Sequence, residues 1–254
     1  MRGLTLGLAQ MKCQKGAIGY NIISMYKYLE ECKKKGADIV CFPEMNITGY
    51  INPLKYPEAV ISRYHSAIQK VADMSFTYQT TIIAGFAEKN YEGKPFITQL
   101  VAQEGKVAGF YRKKNICGDE SDWFSPGTET PIFSHSGINF GLAICADLDD
   151  GGIFKEYAEQ GASLVFESAA PGLYGEQENR DWESGFNWWK SECKSKLGKY
   201  AEESGIYIAA ATQAGRTEDE DFPGGGYLFT PQGSCTYETD DWHEGIIVAQ
   251  IDLP

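Results

Sequence analysis

Three residues of this chain have types and positions suited to chemistry: a carboxylate just past an apolar run, a lysine inside a basic triplet, and a cysteine that closes a second apolar run. They are Glu44 in Phe42-Pro-Glu-Met-Asn-Ile-Thr-Gly-Tyr50, Lys113 in Tyr111-Arg-Lys-Lys-Asn-Ile-Cys-Gly-Asp-Glu120, and Cys145 in Phe140-Gly-Leu-Ala-Ile-Cys-Ala-Asp147. Alone, each has an ordinary explanation: a turn or cap carboxylate, a solvated hairpin tip, one more buried thiol. Position changes that. Cys145 falls where a strand hands over to a helix, and backbone N–H groups at a helix start lower a thiol pKa and bind an oxyanion. A carboxylate directly after a buried strand needs a reason to be there. Strand alternation puts Arg112 and Lys114 on one face and Lys113 on the other, so the triplet is not one solvated patch.

The elements that must position these residues read as an α/β layered fold. A strand over Leu4 to Gln10 leads to a helix near Asn21 to Lys35, ended by Gly36, and then to an apolar strand from Asp38 to Phe42. A second helix is expected from about Glu58 to Ser75, followed by a strand from Thr80 to Ala87. Phe96 to Ala102 and Val107 to Arg112 flank Gln103-Glu-Gly-Lys106 as a hairpin. A long loop from Asn115 to Pro131 precedes the pair Ile132 to Ser134 and Ile138 to Ile144. A helix near Ile153 to Gln160, a strand at Ser163 to Phe166, a helix from about Asn187 to Ser204 and a strand at Ile206 to Ala211 follow. Tyr227 to Thr230 and Ile246 to Ile251 close the chain. The two halves show no repeat at a fixed period and no linker, so a single domain over 1–254 is expected.

Composition narrows the function. The 254 residues carry 43% hydrophobic and 23% charged side chains, an ordinary globular balance. A formal net charge of -12 argues against nucleic acid or an anionic membrane as partner. Seven cysteines, widely spaced and never in CxxC, suggest neither a disulfide framework nor a zinc ribbon and fit a reducing cytoplasm. Met1-Arg2-Gly3 runs straight into the first strand with no signal-peptide pattern, and no apolar run approaches membrane-spanning length. The three histidines lack HExxH spacing, and Asp147, Asp149 and Asp150 fail as a calcium loop because Gly151 and Ala158 occupy ligand positions. A papain-like pair of Cys145 with His243 leaves Glu44 and Lys113 unexplained. The acidic run Glu218-Asp-Glu-Asp221 reads as a solvated loop.

Pro-Glu before a Thr-Gly-Tyr turn, then Tyr-Arg-Lys with a glutamate beyond it, then a strand ending in a cysteine with an aspartate two positions on, is an ordered set. In it the chain resembles the nitrilase superfamily of carbon-nitrogen hydrolases, from its first strand to about Ile251. The resemblance implies a four-layer αββα sandwich of two face-to-face mixed sheets with helices outside, in a homodimer or larger assembly. It also implies an enzyme with no metal or other cofactor, acting on a small amide or N-carbamoyl compound. Glu44 matches the general base, Cys145 the nucleophile that forms a thioester, and Lys113 the oxyanion-stabilising ammonium, with the Ala146 N–H as second donor. Glu120 matches the family's additional glutamate, and Tyr50, Trp182 and Ala169 are expected beside the substrate. A compensated ammonium next to the thiol is expected to favour a thiolate. Cys145-Ala-Asp147 is closer to the amidase and carbamoylase pattern than to the Cys-Trp-Glu of true nitrilases. Asn115, Ala146, Tyr200 and the loop from Leu148 to Gly152 depart from common family residues.

Overall fold

Leu4, Leu6 and Leu8 alternate along the first strand and commit one of its faces to a core shared with a second sheet. The computed structural model describes residues 2–253, so both ends of the domain expected over 1–254 lie outside the described residues. The first half runs β1 (Arg2–Gln10), α1 (Ile18–Lys34), β2 (Ile39–Cys41), α2 (Ser66–Tyr78), β3 (Thr81–Glu88), β4 (Phe96–Gln103) and β5 (Lys106–Arg112). The second runs α3 (Glu120–Trp123), β6 (Phe133–His135), β7 (Ile138–Ile144), α4 (Gly151–Glu159), β8 (Leu164–Ala169), α5 (Trp182–Ser204) and β9 (Tyr207–Thr212). A ribbon of β10 (Ala214–Arg216) and β11 (Asp221–Pro223) follows, then β12 (Gly226–Phe229), β13 (Cys235–Glu238) and β14 (Gly245–Leu253).

Strand order is β14-β1-β2-β3-β4-β5 in one six-stranded sheet and β13-β12-β9-β8-β7-β6 in the other. β1, β2 and β3 are parallel, as are β7, β8 and β9, and the outer pairs are antiparallel. Starting from β5 and from β13, both sheets repeat one pairing sequence: two antiparallel, two parallel, one antiparallel. The halves are thus alike in topology without a sequence repeat, and β2 corresponds to β8, β1 to β7.

Leu6, Ile39 and Ile83 meet Leu142, Phe166 and Ala209 between the sheets. Met25, Leu29 and Val71 of α1 and α2 cover Val40 and Ile82 on one outer face; Phe154, Trp189 and Leu197 of α4 and α5 cover Val165 and Ile208 on the other. This is the expected αββα sandwich.

α3 forms inside the stretch expected as a loop from Asn115 to Pro131, α1 begins at Ile18, three residues early, and two further helices begin well away from the expected residue. The one expected from Glu58 begins at Ser66, because the chain at Ile61 is claimed by the end of β3: Ile61 N–H donates to Ala87 O, and Lys89 N–H to Ile61 O. The β-branched pair Val60-Ile61 suits that extended course. His65 Nδ1 then caps α2 by accepting the Ala67 N–H. The helix expected from Asn187 begins earlier, at Trp182, where the Asp181 carboxylate accepts the Ser184 N–H.

Candidate active site

Glu44, Lys113 and Cys145 stand past the carboxyl ends of β2, β5 and β7, where open α/β sheets gather their ligands. Lys113 is fully buried, and its Nζ donates to Glu44 Oε1 at 2.9 Å and to both Glu120 oxygens at 2.8 Å. The Tyr50 hydroxyl donates to Glu120 Oε1 at 2.7 Å, and the Ala170 N–H donates to Glu44 Oε2 at 3.0 Å. Arg112 and Lys114 turn away to Glu88 and Glu156, as alternation requires.

Two turns set the geometry. Cys145 has φ +46° and Met45, directly after Glu44, has φ +47°, both in the left-handed region that side chains avoid. The chain reverses sharply at Cys145 into a 3-10 turn over Cys145–Asp149, and the Asp147 carboxylate holds that turn. Its Oδ2 accepts the Ile144 N–H at 2.9 Å and the Tyr111 hydroxyl at 2.6 Å, while Oδ1 accepts the Asn115 N–H at 2.8 Å. One buried carboxylate therefore joins the cysteine turn in the second sheet to both flanks of Lys113 in the first. The Glu44 turn rests on β3 at Gly85, where an added Cβ would lie 2.4 Å from the Met45 nitrogen. Nothing but glycine fits there.

Burial pushes the Glu44 pKa up to about 7, with the Glu120 charge in the same direction and Lys113 opposing. Burial works against the Lys113 charge, but Glu44, Cys145 and Glu120 outweigh it and hold the ammonium well above the ordinary lysine range. Burial, then the Glu44 charge, raises the Cys145 thiol well above its usual value, against Lys113 and the Ala170 N–H. The expected bias toward a thiolate is not met. Two carboxylates around one ammonium leave the site short of positive charge, so the thiol rests protonated beside a carboxylate that titrates near neutrality.

In front of Cys145 lies a cavity of about 620 Å³, sized for a small molecule. Tyr50, Glu120 and Ala146 line it, as do Trp123, Trp188 and Trp189. Trp182 does not: it sits in the first turn of α5 beside the Arg216 guanidinium, and the α5 indoles on the wall are Trp188 and Trp189, about two turns further along. Ala169 lies in the core beneath α5, and its neighbour Ala170 reaches the cavity instead. His243 is exposed and pairs with Asp241, so no papain-like couple forms. The acidic run is solvated only in part, with Glu218 and Asp219 exposed. Asp219 and Glu220 hold the nearly buried Lys15 on the cavity rim, and Asp221 is wholly buried between Arg180 and Arg216. Asp147 and the Ala170 amide are the participants that sequence reasoning missed. The aspartate stood in the motif without a job, and a backbone N–H leaves no sequence signal. Among the described residues, no group of three or more His, Cys, Asp or Glu side chains is arranged to hold a metal ion, and no helix is long and apolar enough to cross a membrane.

Comparison with known proteins gives the chain's family and fold. A 2-oxoglutaramate amidase of Bacillus subtilis is 25% identical over 252 residues, which cover 98% of this chain and 91% of that protein. A glutamine-dependent NAD(+) synthetase of Acinetobacter baylyi is 24% identical over all of this chain, which spans only 45% of the synthetase. An amidase of the nitrilase superfamily from Nesterenkonia AN1 superposes with a TM-score of 0.85 at 21% identity, covering 98% of this chain and 90% of that one; at that identity the likeness shows the fold alone. The carbon-nitrogen hydrolase profile matches residues 5–254. With that profile running from Thr5 to the last residue, the chain belongs to the carbon-nitrogen hydrolase family, within the nitrilase superfamily.

Proposed function

We propose that the chain, as a single domain over 1–254, hydrolyses a small carboxamide or N-carbamoyl compound through a thioester on Cys145. Glu44 takes the thiol proton as sulfur attacks the carbonyl carbon, and the C=O electron pair moves onto oxygen between Lys113 Nζ and the Ala146 N–H. Collapse of the adduct breaks the C–N bond, and Glu44 returns the proton to the leaving amine or ammonia. Water, deprotonated by Glu44, then attacks the thioester; the acid leaves and the thiol is restored. The observation that carries this reading is the buried Lys113 ammonium, held at 2.9 Å from Glu44 and 2.8 Å from Glu120. An ammonium so enclosed has no structural need for two carboxylates, and its burial suits an oxyanion better than solvent does. Glu120 keeps Lys113 aimed, and Tyr50 orients Glu120. Seven free cysteines support a reducing, cytoplasmic setting, and a homodimer or larger assembly belongs to the same reading.

The test is turnover of a panel of primary amides, N-carbamoyl compounds and nitriles, with intact mass recorded during turnover. A productive amide or carbamoyl compound should leave an acyl adduct on the wild type and none on Cys145→Ala. Ammonia released from a substrate by Cys145→Ala at the wild-type rate would sink the mechanism. Product that carries added hydroxylamine in place of water would move the chemistry to acyl transfer, and turnover confined to nitriles would remove the amidase assignment.

A further inference from the structure

Glu167 is a buried titratable group that the reaction above leaves unused. It stands in β8, fully buried, and neither carboxyl oxygen has a hydrogen-bond partner among the described residues. Strand register sets it beside Ala143 of β7, two residues before Cys145, and beside Ala210 of β9. Alternation gives it the same face as Val165 and Ala169, the face covered by α5, opposite to Phe166 between the sheets. The carboxyl thus lies under the strand end that delivers the nucleophile. The Cys145 N–H is close enough to favour its charge without closing a hydrogen bond of normal geometry.

A carboxyl buried without a partner costs about 1–3 kcal/mol, and an apolar side chain of the same length would remove that cost. The rest of the strand is Leu, Val, Phe, Ser and Ala, so packing alone gives no reason for a glutamate there. Hydrogen bonds that serve catalysis are often long in the resting enzyme and tighten as the reaction proceeds.

We propose that Glu167 is a positioning residue for Cys145, its carboxyl receiving the Cys145 N–H and bracing the left-handed turn from beneath as the thiol moves to attack. This rests on Cys145 being the nucleophile. Burial, then the charges of Asp147 and Glu44, pushes the Glu167 pKa well up, against Lys113 and the Cys145 amide. Cys193 on α5, Cys41 on β2 and Tyr111 on β5 feel its charge in turn. The neutral acid is the form the fold favours. Ionising it would set a further negative charge under the sulfur and disfavour the thiolate.

The test uses Glu167→Met and Glu167→Gln, with iodoacetamide alkylation of each cysteine read by peptide mass spectrometry and thermal unfolding measured alongside. Glu167→Met should alkylate Cys145 roughly 10- to 100-fold more slowly, as expected of a nucleophile displaced by a fraction of an ångström. It should unfold at an equal or higher temperature, because the orphaned carboxyl is gone. Glu167→Gln, which keeps the acceptor, should restore the rate at neutral pH. A Met variant as reactive as wild type, a Met variant both slower and less stable, or a Gln variant as slow as Met would each overturn the proposal. Wild-type Cys145 reacting no faster than buried Cys193 would instead count against Cys145 as nucleophile, which the ratio between variants and wild type does not depend on.

Discussion

As the proposed base, Glu44 meets two opposed demands: it must be ionised to take a proton, and it sits where ionisation is costly. Its pKa rises from 4.5 to about 7 through burial first and the Glu120 charge next. Between those two values the folded protein keeps a proton that the unfolded chain has released, so stability falls as pH rises from 4.5 to about 7 and levels off above that. Glu44→Gln should flatten this slope, worth a few kcal/mol at about 1.4 kcal/mol per pH unit, in chemical denaturation followed across the window. The same variant should lose about 10²- to 10⁴-fold in kcat, and the wild type should show an acid limb near neutrality. A variant that keeps both the slope and the limb would remove Glu44 from the role of base. The positions of Glu44, Lys113 and Cys145 were legible in the sequence because strand ends and alternation fix them locally, whereas Glu120, in α3, was reached only through the family resemblance. Glu167 and the role of Asp147 were not. Their significance lies in what surrounds them, an apolar layer under α5 for one and two backbone amides plus a tyrosine for the other.

Among the elements, the turn after β7 shows how a local conformation is held by distant partners. Nothing in Cys145-Ala-Asp147 alone announces a left-handed cysteine. The turn persists because Asp147 satisfies the Ile144 N–H within its own segment and is itself gripped by Tyr111 near the end of β5 and Asn115 just past it. Asp147→Asn presents an NH₂ group to donors, so at least one of the three bonds is lost, at a cost of about 1–3 kcal/mol in a buried site. Because the same carboxylate registers Cys145 against Lys113, kcat should fall about 10- to 100-fold while KM changes little. Tyr111→Phe removes one donor and spares both amides, so it should be the milder change in both denaturation midpoint and kcat. The reverse order would place the tyrosine, not the aspartate turn, at the centre of the arrangement. The element pattern was otherwise readable from periodicity, and it failed where tertiary contacts overrode it. Val60 and Ile61 have helical neighbours in sequence but an extended partner in space, the end of β3.

On the scale of the whole molecule, two topologically alike halves have to be locked together at the cavity, and long-range polar contacts do much of this. Ala214 N–H donates to Met11 O, Gln213 Nε2 to Cys13 O, and Lys15 binds Glu220 across 205 residues of sequence. That separation is why the run Glu218 to Asp221 read as a solvated loop: Lys15 and Arg180, two of its partners, lie outside any local window. Asp221 is the best buried member, accepting from Arg180 Nε at 2.8 Å, Arg216 Nε at 3.0 Å and Gln177 Nε2 at 3.0 Å. Arg180 in turn donates to the carbonyls of Leu173 and Gly175, so the carboxylate fixes the segment that ends in the cavity wall at Tyr174. Burial pushes the Asp221 pKa up, but Arg216, Arg180 and Gln177 prevail and hold it below the ordinary value of 3.8. Its stabilisation is therefore present above pH 3.8 and is lost as the pH falls through the lower, folded-state pKa. Asp221→Asn leaves the buried Arg180 without its charge partner and should cost about 3 kcal/mol at pH 7. The gap to wild type should narrow in strong acid, where the native carboxyl is protonated too. With the 173–175 segment loosened, KM should rise while kcat holds, since no reacting group is touched. Equal losses at neutral and strongly acid pH would show that Asp221 acts through shape and hydrogen bonding, without its charge.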